Sequence, residues 1–188
     1  MEVLLGAGDE DAWDGRRVPL GASAGGGQEP GETPPDCAHR EALEELGCGV
    51  ELLHAETTFV ERRPGSIEKE SFDSPAPWLV RVHRRESPAP FKPGLPGGHE
   101  VHFIVYRARA EGEPRPVDFP ALAWTPLAVL PKLSEGVERS RLPDLGVRLV
   151  PGSRLPDDAI LFLPETGTED LLMRVTGSTA PTRGLPRT

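Results

Sequence analysis

The sequence predicts an α+β fold with few helices. Three observations carry this. Candidate strands come in runs rather than alternating with helices, as a doubly wound sheet would require. One segment, 34–46, carries helix signals at both ends. The 21 glycines and 22 prolines among 188 residues imply long irregular loops around a folded domain, just short of the composition of a structureless chain.

In chain order, "EVLL" (2–5) reads as a strand, and the Gly-rich stretch 7–33 as mostly loop. At the start of 34–46, Thr33 is a good N-cap, Pro34 suits the first helical position, and Asp36 completes a Thr-x-x-Asp capping pattern. Ala38, Ala42 and Leu46 then form one stripe, and Gly47 is a natural stop. "VELLHAETTFVERR" (50–63) reads as one long strand and 64–76 as loop. Further strands are expected at 77–85, 99–110 and 119–127, with a Pro/Gly loop at 86–98. A short helical turn at "LAVLPKL", late strands at "GVRLV" and "AILFL", a helix over 168–175 and a loose tail over 177–188 complete the reading. No internal repeat or boundary stands out, so a single domain over 1–176 is expected.

The formal charge of −9 disfavours binding to a nucleic acid polymer. A small phosphorylated ligand stays open, because a bound metal inverts the local sign. The chain has no apolar run long enough to span a membrane and no signal-peptide pattern at its start. Cys37 and Cys48, joined by a helix, would lie about 16 Å apart, too far for a disulfide. A reduced, cytoplasmic protein without a membrane partner is the expectation.

On helix 34–46, Arg40, Glu41, Glu44 and Glu45 occupy one broad face. Crowded carboxylates repel one another unless a cation sits among them. A hard ion such as Mg²⁺ or Mn²⁺ prefers oxygen ligands of this kind. The plain alternative is a solvated helix face laced by Arg–Glu pairs.

The wider spacing favours the first reading. Gly26, Glu32, Arg40, Glu41, Ala42, Glu44, Glu45, Gly47 and Cys48 fit G-x5-E-x7-R-E-U-x-E-E-x-G-U, with U small or apolar. Residues 26–48 thereby resemble the signature of the Nudix hydrolases. The resemblance implies the Nudix α/β/α sandwich with a mixed sheet. It further implies Glu41, Glu44 and Glu45 as metal ligands, with Glu41 alternatively a base, and Arg40 orienting Glu41. Gly25 would offer its carbonyl to the metal, and Glu32 would close the loop as a structural acid. The implied chemistry is water attack on a diphosphate linked to another group, the partner being a small nucleotide-type substrate and the cofactor Mg²⁺ or Mn²⁺. A homodimer is left open, as is a non-catalytic nucleotide sensor of the same fold.

Weaker resemblances extend beyond the box. Asp118, six residues before Trp124, matches an acid of a later family strand and is a candidate further ligand; a surface loop Asp is the alternative. "PGGHEVHFIVYRA" resembles members acting on ADP-ribose-like substrates, which makes Glu100 a candidate base. "GASA" (21–24) departs from the family's Trp-x-x-Pro. With 24 residues before Gly25, the family's first strand is expected to be shortened or missing, with "AILFL" covering the edge it would leave or the true start lying upstream as the two readings. The insertion 64–98 is longer than the family's usual segment. In it, Trp78 and Phe91 could stack on a base or ribose, and Arg81 and Arg85 could face a phosphate with Arg84 turned to solvent. A solvated basic strand edge is the alternative. His99 and His102, three apart on a strand, face opposite ways and make no chelating pair.

Overall fold

The computed structural model describes residues 1–22, 24–90, 95, 97–164 and 168–177. Phe91 and the tail beyond residue 177 lie outside them. In chain order the elements are β1 (Glu2–Ala7), β2 (Arg17–Ala22), α1 (Pro34–Leu46), β3 (Val50–Leu53), β4 (Thr58–Arg63) and β5 (Ser66–Glu70). Then come β6 (Leu79–Arg84), β7 (Glu100–Val105), β8 (Arg107–Ala110), β9 (Leu122–Pro126), α2 (Leu130–Glu135), β10 (Val137–Glu138), β11 (Arg148–Leu149), β12 (Ile160–Phe162) and α3 (Thr168–Thr176). The fold is α+β, with mixed sheets and three α-helices among the described residues.

The contacts divide the chain into two units, Met1–Ser23 with Phe119–Thr188, and Ala24–Asp118. The first holds a six-stranded sheet in the order β10-β12-β2-β1-β9-β11. Its pairings are antiparallel except β12 with β2. Leu5 lies opposite both Ala22 and Ala123. Leu5, Val18, Leu122, Leu130, Leu133, Leu161 and Leu171 are fully buried and form this unit's core.

The sequence-based loop at 7–33 is corrected here, since β2 lies inside it. Val18 and Leu20 alternate with Arg17 and Pro19 and are buried, the period-2 signal of a strand. Pro19 hid it. Proline cannot donate to a ladder and argues against a central strand, yet here it lies opposite Phe162 of β12, and its carbonyl accepts from Gly8 N–H at 2.8 Å. The β12 of "AILFL" lies along the edge of β2, in parallel, and is itself followed by β10, so it is an inner strand and not the sheet's last one.

The second unit holds α1, a four-stranded sheet in the order β5-β4-β6-β7, and the separate pair β3–β8. The two long strands expected at 50–63 and 99–110 are each broken in two. Their first and second halves join different sheets: β3 pairs with β8, whereas β4 and β7 both flank β6. The loop expected at 64–76 contains β5. Arg63 faces Ser66 across Pro64-Gly65, and Gly65 has φ +83°, so Pro pre-sets one turn position and Gly supplies the positive φ of the next.

Alternation sorts the side chains of this sheet. Val60, Val80, Val82, His102 and Ile104 share one face, with Val80 opposite Ile104 and Val82 opposite His102. Glu61, Arg81 and Phe103 share the other.

Candidate active site

Helix α1 forms where the sequence places it. Thr33 Oγ1 accepts from Asp36 N–H at 3.3 Å, and the Asp36 carboxylate accepts from Thr33 N–H at 3.2 Å, closing a capping box. Pro34 occupies the first turn, where no N–H is missed. Gly47 ends the helix in the left-handed region at φ 62°, its N–H donating to Leu43. The last carbonyls are satisfied from further along the chain: Arg115 N–H donates to Leu46 at 2.8 Å and Val117 N–H to Glu45 at 3.3 Å.

Arg40 is the hub of the helix face. Nε and Nη2 donate to the two oxygens of Glu32 at 2.9 and 3.1 Å. Nη1 donates to Glu41 Oε1 at 2.7 Å and Glu44 Oε2 at 3.1 Å, and Nη2 also reaches the Gly27 carbonyl at 3.0 Å. The fork of guanidinium donors suits this two-point grip. Glu32 also accepts from Glu29 N–H at 2.9 Å. Arg40, and then that backbone bond, hold the Glu32 carboxyl below its usual range, and the same carboxylates raise Arg40 further above its already high value.

The glycine loop lies against this face. An added Cβ on Gly26 would stand 2.0 Å from Glu41 Oε1 and 2.3 Å from its Cδ, so only glycine admits the carboxylate there. Gly25 N–H donates to Glu45 Oε2 at 2.8 Å, while the Gly25 carbonyl makes no hydrogen bond among the described residues. Glu41 is buried. One of its oxygens is fixed by Arg40, and Oε2 makes no hydrogen bond among the described residues. Burial raises the Cys37 thiol, assisted by Glu32, which keeps it protonated and unreactive.

These observations bear on the implied metal. The donors are all oxygens, the set a hard divalent ion takes. Arg40 alone balances Glu32, Glu41 and Glu44 among the described residues, which leaves a local excess of negative charge. Glu41 and Glu44 already converge on one cationic nitrogen. The residues fit such an ion, although no three acidic, His or Cys side chains stand together as a finished cluster among the described residues.

The other expected residues are spread more widely. Asp118 is exposed and follows Val117, whose N–H meets the Glu45 carbonyl, so it borders the last turn of α1. Glu100 begins β7 and contacts Arg84 Nε at 3.2 Å and His102 Nε2 at 3.4 Å. Arg81 Nε donates to Glu61 Oε2 at 2.6 Å. Arg85 Nη1 donates to the Ala89 carbonyl at 2.5 Å. The Trp78 ring lies 5.6 Å from the Arg107 guanidinium. Sequence reading missed the Gly27 carbonyl as an Arg40 partner and the Glu61–Arg81 pair. The pair's only sequence signal is the common parity of Glu61 and Arg81 on two β-rich runs.

No helix among the described residues is long and apolar enough to cross a membrane. Comparison with curated proteins and with solved structures gives no match. The family model for the NUDIX domain matches residues 3–145, a span that holds the glycine loop, all of α1, and the Glu100 and Asp118 positions. The chain therefore belongs to the NUDIX domain family, a family of hydrolases that act on pyrophosphate-containing substrates and generally use divalent metals.

Proposed function

We propose that this protein is a divalent-metal-dependent hydrolase of small nucleoside-diphosphate-linked molecules, with ADP-ribose-like compounds among the substrates to test, working as one catalytic domain over 1–176. The observation that carries the reading is the Arg40 hub. It holds Glu32, Glu41 and Glu44 around a glycine loop and leaves the second Glu41 oxygen without a hydrogen bond among the described residues.

In this reading Glu41, Glu44 and Glu45 hold Mg²⁺ or Mn²⁺, with the Gly25 carbonyl and Asp118 as further ligands. The ion, when bound, polarises the phosphoryl oxygens and acidifies water. Water adds to one phosphorus as the bridging P–O bond breaks, and the bridging oxygen departs on the other phosphate. The proton lost by water passes to a carboxylate. Glu41 suits this role because Arg40 fixes its Oε1 and leaves Oε2 to accept; Glu100 is the second candidate. Arg40 orients Glu41, while Gly26, Glu32 and Gly47 keep loop and helix in register. Contacts from Trp78, Arg81 and Arg85 to the substrate belong to the same proposal, and would require the two arginines to leave Glu61 and Ala89.

The test is turnover of a panel of nucleoside diphosphate derivatives with and without Mg²⁺ or Mn²⁺. Metal-dependent release of two phosphate-bearing products from at least one compound is expected. Tight nucleotide binding with no turnover under either metal would replace the hydrolase by a sensor.

A further inference from the structure

A cavity of about 500 Å³ opens on the sheet face of the second unit, within the size range of small-molecule sites. Val60, Val80, Val82 and Ile104 form its floor, and Phe72 and Tyr106 are its two aromatic side chains. Ser74, Asp73 and His102 add hydrogen-bonding groups. The first residues of α1, Pro34 and Pro35, line it too. The segment preceding β6 is anchored by Ala76, whose carbonyl accepts from Ala55 N–H at 3.2 Å and whose N–H donates to His54 Nδ1 at 3.2 Å.

The charge of the cavity is informative. Among the described residues its one arginine, Arg62, is already engaged by Glu68 and Glu70, and no lysine lines it. The Asp73 carboxylate among its lining residues would repel a phosphate. An apolar floor, two aromatic side chains and hydrogen-bonding groups that include the Asp73 carboxylate match an uncharged flat ring, whose faces bury and whose edge hydrogen-bonds, better than an anion. Arg81 lies on the opposite face of the sheet from Val80 and Val82 and so does not enter it.

The position is equally informative. Glu41 is seven residues after Pro34, two helical turns along the same side of α1, or about 10 Å. The cavity lining at the start of α1 and the Glu41 carboxylate further along it are thus set apart on one helix, as a base and a diphosphate are separated by a sugar.

We propose that this cavity seats the uncharged heteroaromatic end of the substrate and excludes its phosphates, selecting the nucleobase. Calling the ligand a substrate rests on the hydrolase reading above; the ring site itself does not.

Tyr106 is the only tyrosine in the chain, so tyrosine-labelled protein gives a single ring reporter inside the cavity. Metal-free protein is titrated with the four common ribonucleosides and, separately, with inorganic pyrophosphate. At least one nucleoside is expected to shift the Tyr106 ring resonances saturably, and pyrophosphate to leave them in place. Ile104 is partly exposed, so Ile104→Glu should keep the fold, checked by its melting curve, while abolishing the shift. On any hydrolysed nucleotide it should raise KM by about tenfold or more, with a smaller change in kcat. Val82→Glu is the second variant. A saturable nucleoside shift without metal-dependent turnover supports the ring site and removes the hydrolase reading. Turnover with an unmoved Tyr106 and unchanged KM in both variants overturns the ring site and leaves the hydrolase standing. A Tyr106 shift caused by pyrophosphate also overturns the proposal.

Discussion

Arg40 grips Glu32 at two points, Nε to Oε1 at 2.9 Å and Nη2 to Oε2 at 3.1 Å, across eight positions of sequence. This clamp fastens the glycine loop to the helix that follows it. Lysine carries the charge without the fork. Arg40→Lys should therefore lower kcat by about 10–100-fold, the usual cost of losing a group that orients a metal-site carboxylate, with a melting temperature near wild type. Steady-state kinetics beside thermal melts check this, and unchanged kcat would show that the clamp has no part in catalysis.

The same clamp makes stability depend on acid. The folded Glu32 carboxyl sits below its ordinary value because Arg40 and then Glu29 N–H favour the ionised form. Its stabilising contribution is fully present above the unfolded value, near 4.5, and is lost as pH falls through the folded value. Glu70, lowered by Arg62, acts in the same direction. Urea melts from pH 6 to pH 3 should show falling stability, with a shallower fall in Glu32→Gln. A slope identical to wild type would place the acid sensitivity elsewhere.

The proposed ligands give a direct contrast. Glu44→Gln and Glu45→Gln should each cut metal-dependent turnover by about 100-fold or more, since a lost ligand removes several kcal/mol of transition-state stabilisation. Mn²⁺ affinity, read by electron paramagnetic resonance, should fall with it. Full turnover in either variant would remove that residue from the metal shell.

Two adjacent glycines should behave oppositely. A Cβ on Gly26 must displace the Glu41 carboxylate, whereas one on Gly25 meets nothing within 4 Å among the described residues. Gly26→Ala should lose most activity while staying folded, because the flexible Glu41 side chain can move aside. Gly25→Ala should retain activity. Equal effects would mean that the Glu41 position is unimportant.

The pair Glu61–Arg81 separates two roles for Arg81. Glu61 is buried at 4 % exposure and also accepts from Gly65 N–H. Removing Arg81 takes the paired guanidinium from a buried carboxylate, a loss of about 3 kcal/mol. Arg81→Ala should therefore lower the denaturation midpoint. If KM rises while stability is unchanged, Arg81 is a substrate contact instead.

Helix α1 was legible because its ends are written in local chemistry: Thr33 with Asp36 at one end, Gly47 at the other. The box residues were legible because their spacing is fixed along one helix. β2 was not, because Pro19 contradicts a central strand and only its neighbours β1 and β12 make that position tolerable. β5 was obscured by the charges of "SIEKE", though Pro64-Gly65 between two β-capable runs was a usable hairpin signal. The cavity could not be read at all. Its lining comes from positions 34 to 106, and only strand register brings Val80 and Ile104 together.

The partners of Arg40, from Gly27 to Glu44, all lie within 13 positions of it. Closing so short a stretch costs little chain entropy. The β1–β9 pairing instead joins residues more than a hundred positions apart, the kind of contact that slows folding. Loop and helix can therefore assemble early in folding, ahead of the six-stranded sheet. A substitution that weakens the sheet would then reduce how much active protein accumulates, while leaving the rate constant of each folded molecule close to normal.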